Sequence, residues 1–354
     1  LDRTLLPVDL PWLLLFKGGR QLRTLGLSPA GDEFAYPEVH LTPAQKAQYL
    51  QDGFTVVRNA IPVAILDALR TALHSELGPA SWPWHDNSFM TVDAALDFYV
   101  FSSLPSLAGQ LIEAAHASGH SDEPSNKSPV HLWSDFTYFR SSEGPPFTEP
   151  HIDEWECEGF IPANHTHLSR IRAWVTLDDE VMAPLLLPQS TALAPLNETE
   201  RQRFWRGELR RELLPGSASA YILKKVKPKF TDWKMISDLR RGDVVFHTPC
   251  LLHISPPSQG RVVACVSPTY APAASRVYSR AAGAHRYCKN GIPVGQAISS
   301  QSDGCYLQVH PRAAKLQKGA SLAYESLHYS WYEMLARWLQ DRRLRSRSNM
   351  GWQF

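Results

Sequence analysis

The segment Pro-His-Ile-Asp, residues 150–153, is the stretch of sequence that most constrains the fold. Side chains alternate between two faces in an extended strand, so His151 and Asp153 project from the same face. We predict that His253, about a hundred residues later in the segment His-Ile-Ser, joins them. Two imidazoles and one carboxylate leave coordination positions open, a set that is typical of non-haem Fe(II) in oxygenases.

The third ligand has a rival in His247, which precedes His253 in the same apolar stretch. The two histidines would share a face if one straight strand carried both. Pro249 lies between them, and proline interrupts a central strand, so we favour His253. A purely structural interpretation also stays open at this point. In it His151 and Asp153 form a hydrogen-bonded pair, and His253 packs in the core.

An arginine beyond His253 indicates an anion nearby. Arg261 heads the apolar run 262–266, and a buried guanidinium is costly without an anionic partner. Arginine holds carboxylates through paired, charge-assisted hydrogen bonds. We therefore expect a carboxylate beside Arg261, either on a bound molecule or on an internal acid such as Asp243. Ser255 lies two residues after His253 and shares its face.

At these residues the chain resembles the phytanoyl-CoA dioxygenase-like branch of the Fe(II)/2-oxoglutarate oxygenases. Four motifs carry the resemblance in the family's order. They are an Asp-Gly-Phe segment at 52–54, the His-x-Asp, a Trp-x-x-Leu-Asp-Asp strand at 174–179, and a Gly-Asp…His…His-x-Ser…Arg run at 242–261. Together they span roughly residues 45 to 270.

The resemblance implies a mainly β fold with flanking helices, built on a double-stranded β-helix of the jelly-roll or cupin kind. It implies that His151, Asp153 and His253 bind Fe(II), because the family's ligand is the later histidine, the one followed by x-Ser. It also implies 2-oxoglutarate as co-substrate and O2 as oxidant. A carboxylate at Asp153 favours hydroxylation over halogenation, since halogenating relatives have a small residue there.

The resemblance also assigns residues to the co-substrate pocket. Arg261 is expected to hold the distal carboxylate of 2-oxoglutarate, and Ser255 to contact the co-substrate. Trp174 is expected to line the pocket, although plain core packing would explain a tryptophan there equally well. Tyr138 is a weaker candidate for the same wall.

The resemblance implies that the enzyme oxidises a C–H bond of a small molecule. Hydroxylation is the default outcome, and desaturation or rearrangement are open. The aromatic segment 79–96 suggests an apolar substrate from secondary metabolism, because it could act as a lid, though it could equally pack over helices. Two alternatives remain: a binding-only member of the fold, and a cupin-like metalloenzyme that does not use 2-oxoglutarate.

Composition narrows the class of protein. The chain has 354 residues, 44% hydrophobic and 20% charged, as expected of a soluble globular protein. A net charge of +1 gives no indication of a nucleic-acid partner. No stretch approaches the roughly 20 apolar residues of a membrane span. Cys250 and Cys265 lie among apolar residues, which is typical of buried free thiols and favours a reducing compartment. We expect a cytoplasmic protein, with a peroxisomal location open if an N-terminal segment was removed.

We divide the chain into an N-terminal arm (1–40), an oxygenase domain with inserted loops (41–275) and an extension (276–354). The extension should end in an amphipathic helix packed on the core. Thr42-Pro43 predicts a helix start that runs to a stop near Gly53, followed by a short strand. A second helix should end at Gly78, and a third should cover 97–117.

Overall fold

The computed structural model describes residues 39–77, 84–86, 88–90, 92–120, 129–140, 150–153, 160–162, 167–179, 184–188, 196–200, 223–236, 238–254, 263–277 and 307–310. The N-terminal arm up to residue 38 and the amphipathic helix expected near the C-terminus lie outside these residues. So do Ser255 and Arg261. The proposed division into domains therefore stays a prediction.

The helices that pack against the main sheet are α1 (Pro43–Asp52), α2 (Val63–Leu77), α3 (Asp93–Phe101) and α4 (Leu104–Ala115). Helix α1 begins as predicted, because the Thr42 hydroxyl accepts a hydrogen bond from the Gln45 amide. It ends at Gly53, which has φ 77°. The single helix expected over 97–117 is wrong. The chain is extended at Ser102, and Pro105 then lies in the first turn of a new helix, where its missing N–H does no harm.

The described strands form a main sheet, a smaller sheet and one separate pair. They are β1 (Phe54–Val57), β2 (Trp84–Asp86), β3 (Val130–Arg140), β4 (Phe160–Pro162), β5 (Ile171–Thr176), β6 (Leu185–Leu186), β7 (Lys234–Met235), β8 (Val244–His247), β9 (His253–Ile254), β10 (Val263–Pro272), β11 (Ser275–Val277) and β12 (Leu307–His310). The main sheet has the order β1-β8-β5-β10-β3-β12, with β2 also paired to β3. The smaller sheet has the order β7-β6-β9, and β11 pairs separately with β4.

The two larger sheets enclose a common interior. Side chains from both pack into one cluster, which includes Trp174 and Val245 from the main sheet and Leu186 from the smaller one. All of the strand pairs among the described residues are antiparallel. This arrangement confirms the predicted mainly β fold of jelly-roll type with helices on its flank.

Strand β5 shows how the main sheet separates helices from interior. Ile171, Ala173 and Val175 belong to the cluster that the helices cover, whereas Trp174 belongs to the interior cluster. All six residues of the strand are buried. The strand therefore has no solvent face, and any polar side chain on it must find a partner inside the protein.

Several elements differ from the sequence-based expectation. The aromatic segment contains β2, which pairs with β3, so at least this part extends the sheet. Whether the rest of the segment forms a lid is untested. Residues 130–140 form one continuous strand, β3. Strand β12 lies in the expected C-terminal extension and also pairs with β3.

One of the two cysteine assignments was wrong. Cys265 is a buried thiol outside any disulfide, as expected, but Cys250 is disulfide-bonded. The cysteines therefore no longer favour a reducing compartment. Among the described residues, no helix combines the length and apolarity that crossing a membrane requires.

The Gly-Asp turn before β8 is a structural motif in this protein. The Asp243 carboxylate accepts hydrogen bonds from the backbone amides of Asn59 and Arg240, both at 2.8 Å. It also forms an ion pair with Arg58 at 2.8 Å. The turn thereby ties β8 to the segment between β1 and α2. Asp243 is thus already engaged with Arg58, which weakens it as the internal partner suggested for Arg261.

We predict that Gly242→Ala destabilises the protein by about 2–4 kcal/mol. Gly242 has φ 97°, and an added Cβ would lie 2.7 Å from the carbonyl oxygen of Ile61. Urea denaturation of both proteins would measure the change in the free energy of unfolding. A loss below about 0.5 kcal/mol would contradict this account of the turn.

A buried polar cluster lies where β3 meets the segment before α3. Asp135 is fully buried, and its Oδ2 accepts hydrogen bonds from the Ser88 hydroxyl and, at 3.0 Å, from the Tyr99 hydroxyl. Ser88 and Thr137 share a further hydrogen bond of 2.8 Å. Burial raises the pKa of Asp135 to about 7, against the lowering effect of its hydroxyl and amide donors. The folded protein therefore holds a proton on this carboxyl that the unfolded chain releases near pH 4.

The unfolded state loses this proton at a lower pH than the folded state does. Asp135 therefore makes the free energy of unfolding fall as the pH rises from about 4 to about 7. We predict that Asp135→Asn, which carries no titratable proton, lacks this part of the pH dependence. The stability of the unmodified protein relative to the variant should fall by up to about 4 kcal/mol over that window. Urea denaturation at several pH values measures the difference, and parallel profiles for the two proteins would contradict it.

Candidate metal centre

The backbone brings together the two segments that carry the predicted ligands. The His151 amide donates to the His253 carbonyl at 3.0 Å, and the His253 amide donates to the His151 carbonyl at 2.8 Å. The Asp153 amide donates to the Pro249 carbonyl at 2.9 Å. On its other side, β9 pairs with β6. The His-x-Asp segment is therefore held beside β9 by an isolated antiparallel bridge.

The three predicted ligands converge on one point. One potential ligand atom from each of His151, Asp153 and His253 lies within 4.8 Å of those of the other two. The imidazole centroids of the two histidines are 4.3 Å apart. Oδ1 of Asp153 lies 3.8 Å from Nε2 of His253. This geometry favours a shared ion over the interpretation of His253 as an isolated core histidine.

Hydrogen bonding and burial put two of the three groups in the ionisation state that metal binding needs. Nδ1 of His253 lies 3.0 Å from the Leu251 carbonyl, which makes Nδ1 the protonated nitrogen and leaves Nε2 for a metal. Burial, followed by the neighbouring His151, lowers the pKa of His253 to about 3. Burial alone would raise the pKa of Asp153, but Arg172 and the nearby histidines hold it at about 2. Near neutral pH the site therefore has a neutral His253 and an ionised Asp153.

Arg172 is a residue of the site that the sequence analysis missed. Its side chain is buried on β5, and its Nη1 lies 2.9 Å from Oδ2 of Asp153 as a close ion pair, without the alignment of a hydrogen bond. A signal was present in the sequence, since Arg172 stands in an apolar strand. The argument that singled out Arg261 applies to it equally well.

His247, the rival third ligand, lies beside the three and outside the group they form. It is the last residue of β8 in the main sheet, whereas His253 begins β9 in the smaller sheet. The residues around Pro249 form the turn that crosses between the sheets, as the proline indicated. The two imidazole centroids are 5.2 Å apart, and Nδ1 of His247 lies 3.0 Å from the Thr248 carbonyl. Burial lowers the pKa of His247 to about 4.

Tyr138 and Trp174 form a wall of the same interior. Their rings stack with centroids 5.9 Å apart, and Tyr138 also stacks on Phe136 at 6.0 Å. Trp174 is only 3% exposed and packs in the interior cluster, so it serves at least as core. Phe136 and Tyr138 are half-buried, which leaves part of each ring accessible.

Several solved structures are similar to this chain. The non-haem α-ketoglutarate-dependent carbocyclase SnoK from nogalamycin biosynthesis has a TM-score of 0.51 and 16% identity, with 73% of this chain and 95% of that chain covered. The epimerase SnoN from the same biosynthesis has a TM-score of 0.49 and 15% identity, with 74% and 96% covered. EctD from S. alaskensis, solved with 2-oxoglutarate and 5-hydroxyectoine, has a TM-score of 0.46 and 11% identity, with 69% and 80% covered.

No protein-family model matches the chain, and no curated protein sequence matches it significantly. Identity this low means that the likeness to SnoK shows a common fold, and function has to be argued from the site itself. The chain thus shares a jelly-roll fold with the carbocyclase SnoK.

We predict that His253→Gln lowers the affinity for Fe(II) by more than about 100-fold, because it removes a ligand. His247→Gln is the matched control. It removes an equally buried imidazole nearby, and we expect the affinity to stay close to that of the unmodified protein. Anaerobic calorimetric titration with Fe(II) measures both. Loss of binding in the His247 variant with retention in the His253 variant would reverse the ligand assignment.

Proposed function

We propose that this protein is an Fe(II)- and 2-oxoglutarate-dependent oxygenase that oxidises a C–H bond of an apolar small molecule. The observation that carries the proposal is the convergence of His151, Asp153 and His253 within 4.8 Å inside a jelly roll. The four sequence motifs agree with it, and they favour the phytanoyl-CoA dioxygenase-like branch of these enzymes.

The donor set suits Fe(II). Two imidazoles and one carboxylate on one side of an ion leave positions for a chelating co-substrate and for O2. The hydrogen bond from Nδ1 of His253 to the Leu251 carbonyl orients the imidazole for coordination through Nε2. Asp153 is ionised, so it brings negative charge to a divalent cation. Its presence also favours hydroxylation or a related oxidation over halogenation.

Iron held by His151, Asp153 and His253 would activate O2, the oxidant. 2-Oxoglutarate would donate two electrons as it is converted into succinate and CO2, and the substrate would donate the other two as it is oxidised. The chain's own residues hold and orient the reactants. We assign Arg261 to the distal carboxylate of 2-oxoglutarate, because a guanidinium binds a carboxylate through two parallel hydrogen bonds. Ser255 would add a hydroxyl contact on the face of His253.

The interior wall supports an apolar substrate. The half-buried rings of Phe136 and Tyr138, with Trp174 behind Tyr138, offer aromatic surface on which a hydrophobic molecule can pack. SnoK acts in the biosynthesis of a natural product, and its name describes ring formation. By analogy with it we place the protein in secondary metabolism. Hydroxylation is the default reaction, with desaturation or rearrangement as further outcomes of the same chemistry.

The first test is succinate release. The purified protein with Fe(II), ascorbate, 2-oxoglutarate and O2 should release succinate, and a chelator should abolish the release. Arg261→Gln should raise the KM for 2-oxoglutarate at least about tenfold, because it removes charge-assisted hydrogen bonds. Arg261→Lys should give a smaller rise. Fe(II) affinity, measured by calorimetry, should stay unchanged in both variants.

The outcomes separate the alternatives. Absence of succinate from protein that binds Fe(II) would favour a binding-only member of the fold. Metal-dependent conversion of a substrate without 2-oxoglutarate would favour a cupin-like metalloenzyme. An unchanged KM for 2-oxoglutarate in Arg261→Gln would overturn the role assigned to that arginine.

A further inference from the structure

The Arg172 side chain is held in place by residues of two other strands of the main sheet, β10 and β3. It lies on β5, and its Nε donates to the Ser267 hydroxyl of β10 at 2.8 Å. Its Nη2 donates to the Tyr138 hydroxyl of β3 at 3.3 Å. The guanidinium carbon lies 4.6 Å from the centre of the Phe136 ring. The Arg172 side chain is only 2% exposed and contacts Ser267, Tyr138 and Phe136. It therefore has little freedom to move.

A further contact of this guanidinium is with Asp153, and in this contact the two carboxylate oxygens have different neighbours. Oδ2 lies 2.9 Å from Nη1 of Arg172. Oδ1 lies 3.8 Å from Nε2 of His253, on the side where the predicted ligands converge. One oxygen is therefore engaged with the arginine, and the other faces the candidate metal site.

We propose that Arg172 is a positioning residue that makes Asp153 a one-oxygen metal ligand. The inference rests on the metal site of the proposed function and adds a residue to it. By holding Oδ2, the guanidinium keeps the carboxylate from turning both oxygens toward the ion. A coordination position that a two-oxygen carboxylate would fill is then left for another molecule.

The contact with Arg172 also fixes the orientation of the Asp153 side chain. The described anchor of the Asp153 backbone is the hydrogen bond from its amide to the Pro249 carbonyl. The side chain needs a second anchor to keep one orientation. Arg172 supplies it from the main sheet, across the interior, so the guanidinium links the rigid sheet to the ligand.

Co(II) titration of the metal-free protein, without 2-oxoglutarate or substrate, tests the proposal. The visible absorption bands of Co(II) report coordination number and geometry as well as affinity. Arg172→Gln should weaken Co(II) binding by about 10- to 100-fold, the usual effect of losing a partner of a metal ligand. It should also change the band shape, since Asp153 is then able to bind through both oxygens. Arg172→Lys keeps the charge and should recover part of the affinity.

Two milder variants guard against a failure of Arg172→Gln to fold. Ser267→Ala and Tyr138→Phe each remove one anchor of the guanidinium and leave its charge in place. Both should weaken Co(II) binding by less than Arg172→Gln, in the same direction. If neither changes the affinity or the spectrum, the proposed positioning through Arg172 is wrong.

Arg170→Gln is the matched control. Arg170 is also fully buried, two residues earlier, and its carbonyl accepts a hydrogen bond from Tyr49 of α1. The variant should lose stability but keep the affinity and spectrum of the unmodified protein. Equal losses of Co(II) affinity in the two glutamine variants would overturn the proposal, because they would indicate general damage to the fold.

The results distinguish this inference from the proposed function. If the unmodified protein binds Co(II) but releases no succinate, the oxygenase function fails while the role of Arg172 is still decided by the spectra. If succinate is released and Arg172→Gln binds Co(II) like the unmodified protein, only the positioning role fails. An unmodified protein that binds no Co(II) would overturn both.

Discussion

The reciprocal hydrogen bonds between the backbones of His151 and His253 are the interaction on which the site depends. They join two segments about a hundred residues apart in the sequence and set both imidazoles on one side of the smaller sheet. Asp153 follows two residues later, close enough to share the same point. The described sheets, helices and turns support this pair of backbone hydrogen bonds.

The main sheet supplies that support in two ways. Its outer face is covered by the helices, which bury an extensive apolar cluster and keep the sheet rigid. Its inner face carries polar and aromatic side chains of the site, including Arg172, Tyr138 and Trp174. The Gly-Asp turn fastens β8 to the chain before α2 and so secures the strand that ends at His247. The close ion pair between Arg172 and Asp153 then links this sheet to the segment that carries two of the proposed metal ligands.

Local chemistry explains which features could be predicted from sequence. The alternation of side chains put His151 and Asp153 on one face, and Pro249 correctly indicated that His247 and His253 lie on different strands. The start of α1 was equally clear, because a capping hydroxyl and a proline act within one helical turn. These signals depend on neighbours in the chain.

Most of the features that were missed depend on partners far away. Arg172 is part of the site because β5 lies beside β10 and opposite Asp153, a relation that pairing creates and local sequence does not encode. The break at Ser102 divides a segment whose composition suits a continuous helix. Strand β12 pairs with β3 from a position more than a hundred residues away, and its four residues carry no distinctive pattern. Ser255 and Arg261 stay predictions from the sequence.

The most direct test of the central claim is X-ray diffraction from crystals grown anaerobically with Fe(II) and 2-oxoglutarate. The data are recorded on both sides of the iron absorption edge. The account predicts one anomalous peak, about 2.0–2.3 Å from an imidazole nitrogen of His151, one of His253 and a single oxygen of Asp153. An iron peak bound to other residues would contradict it, as would a peak that contacts only one of the two histidines.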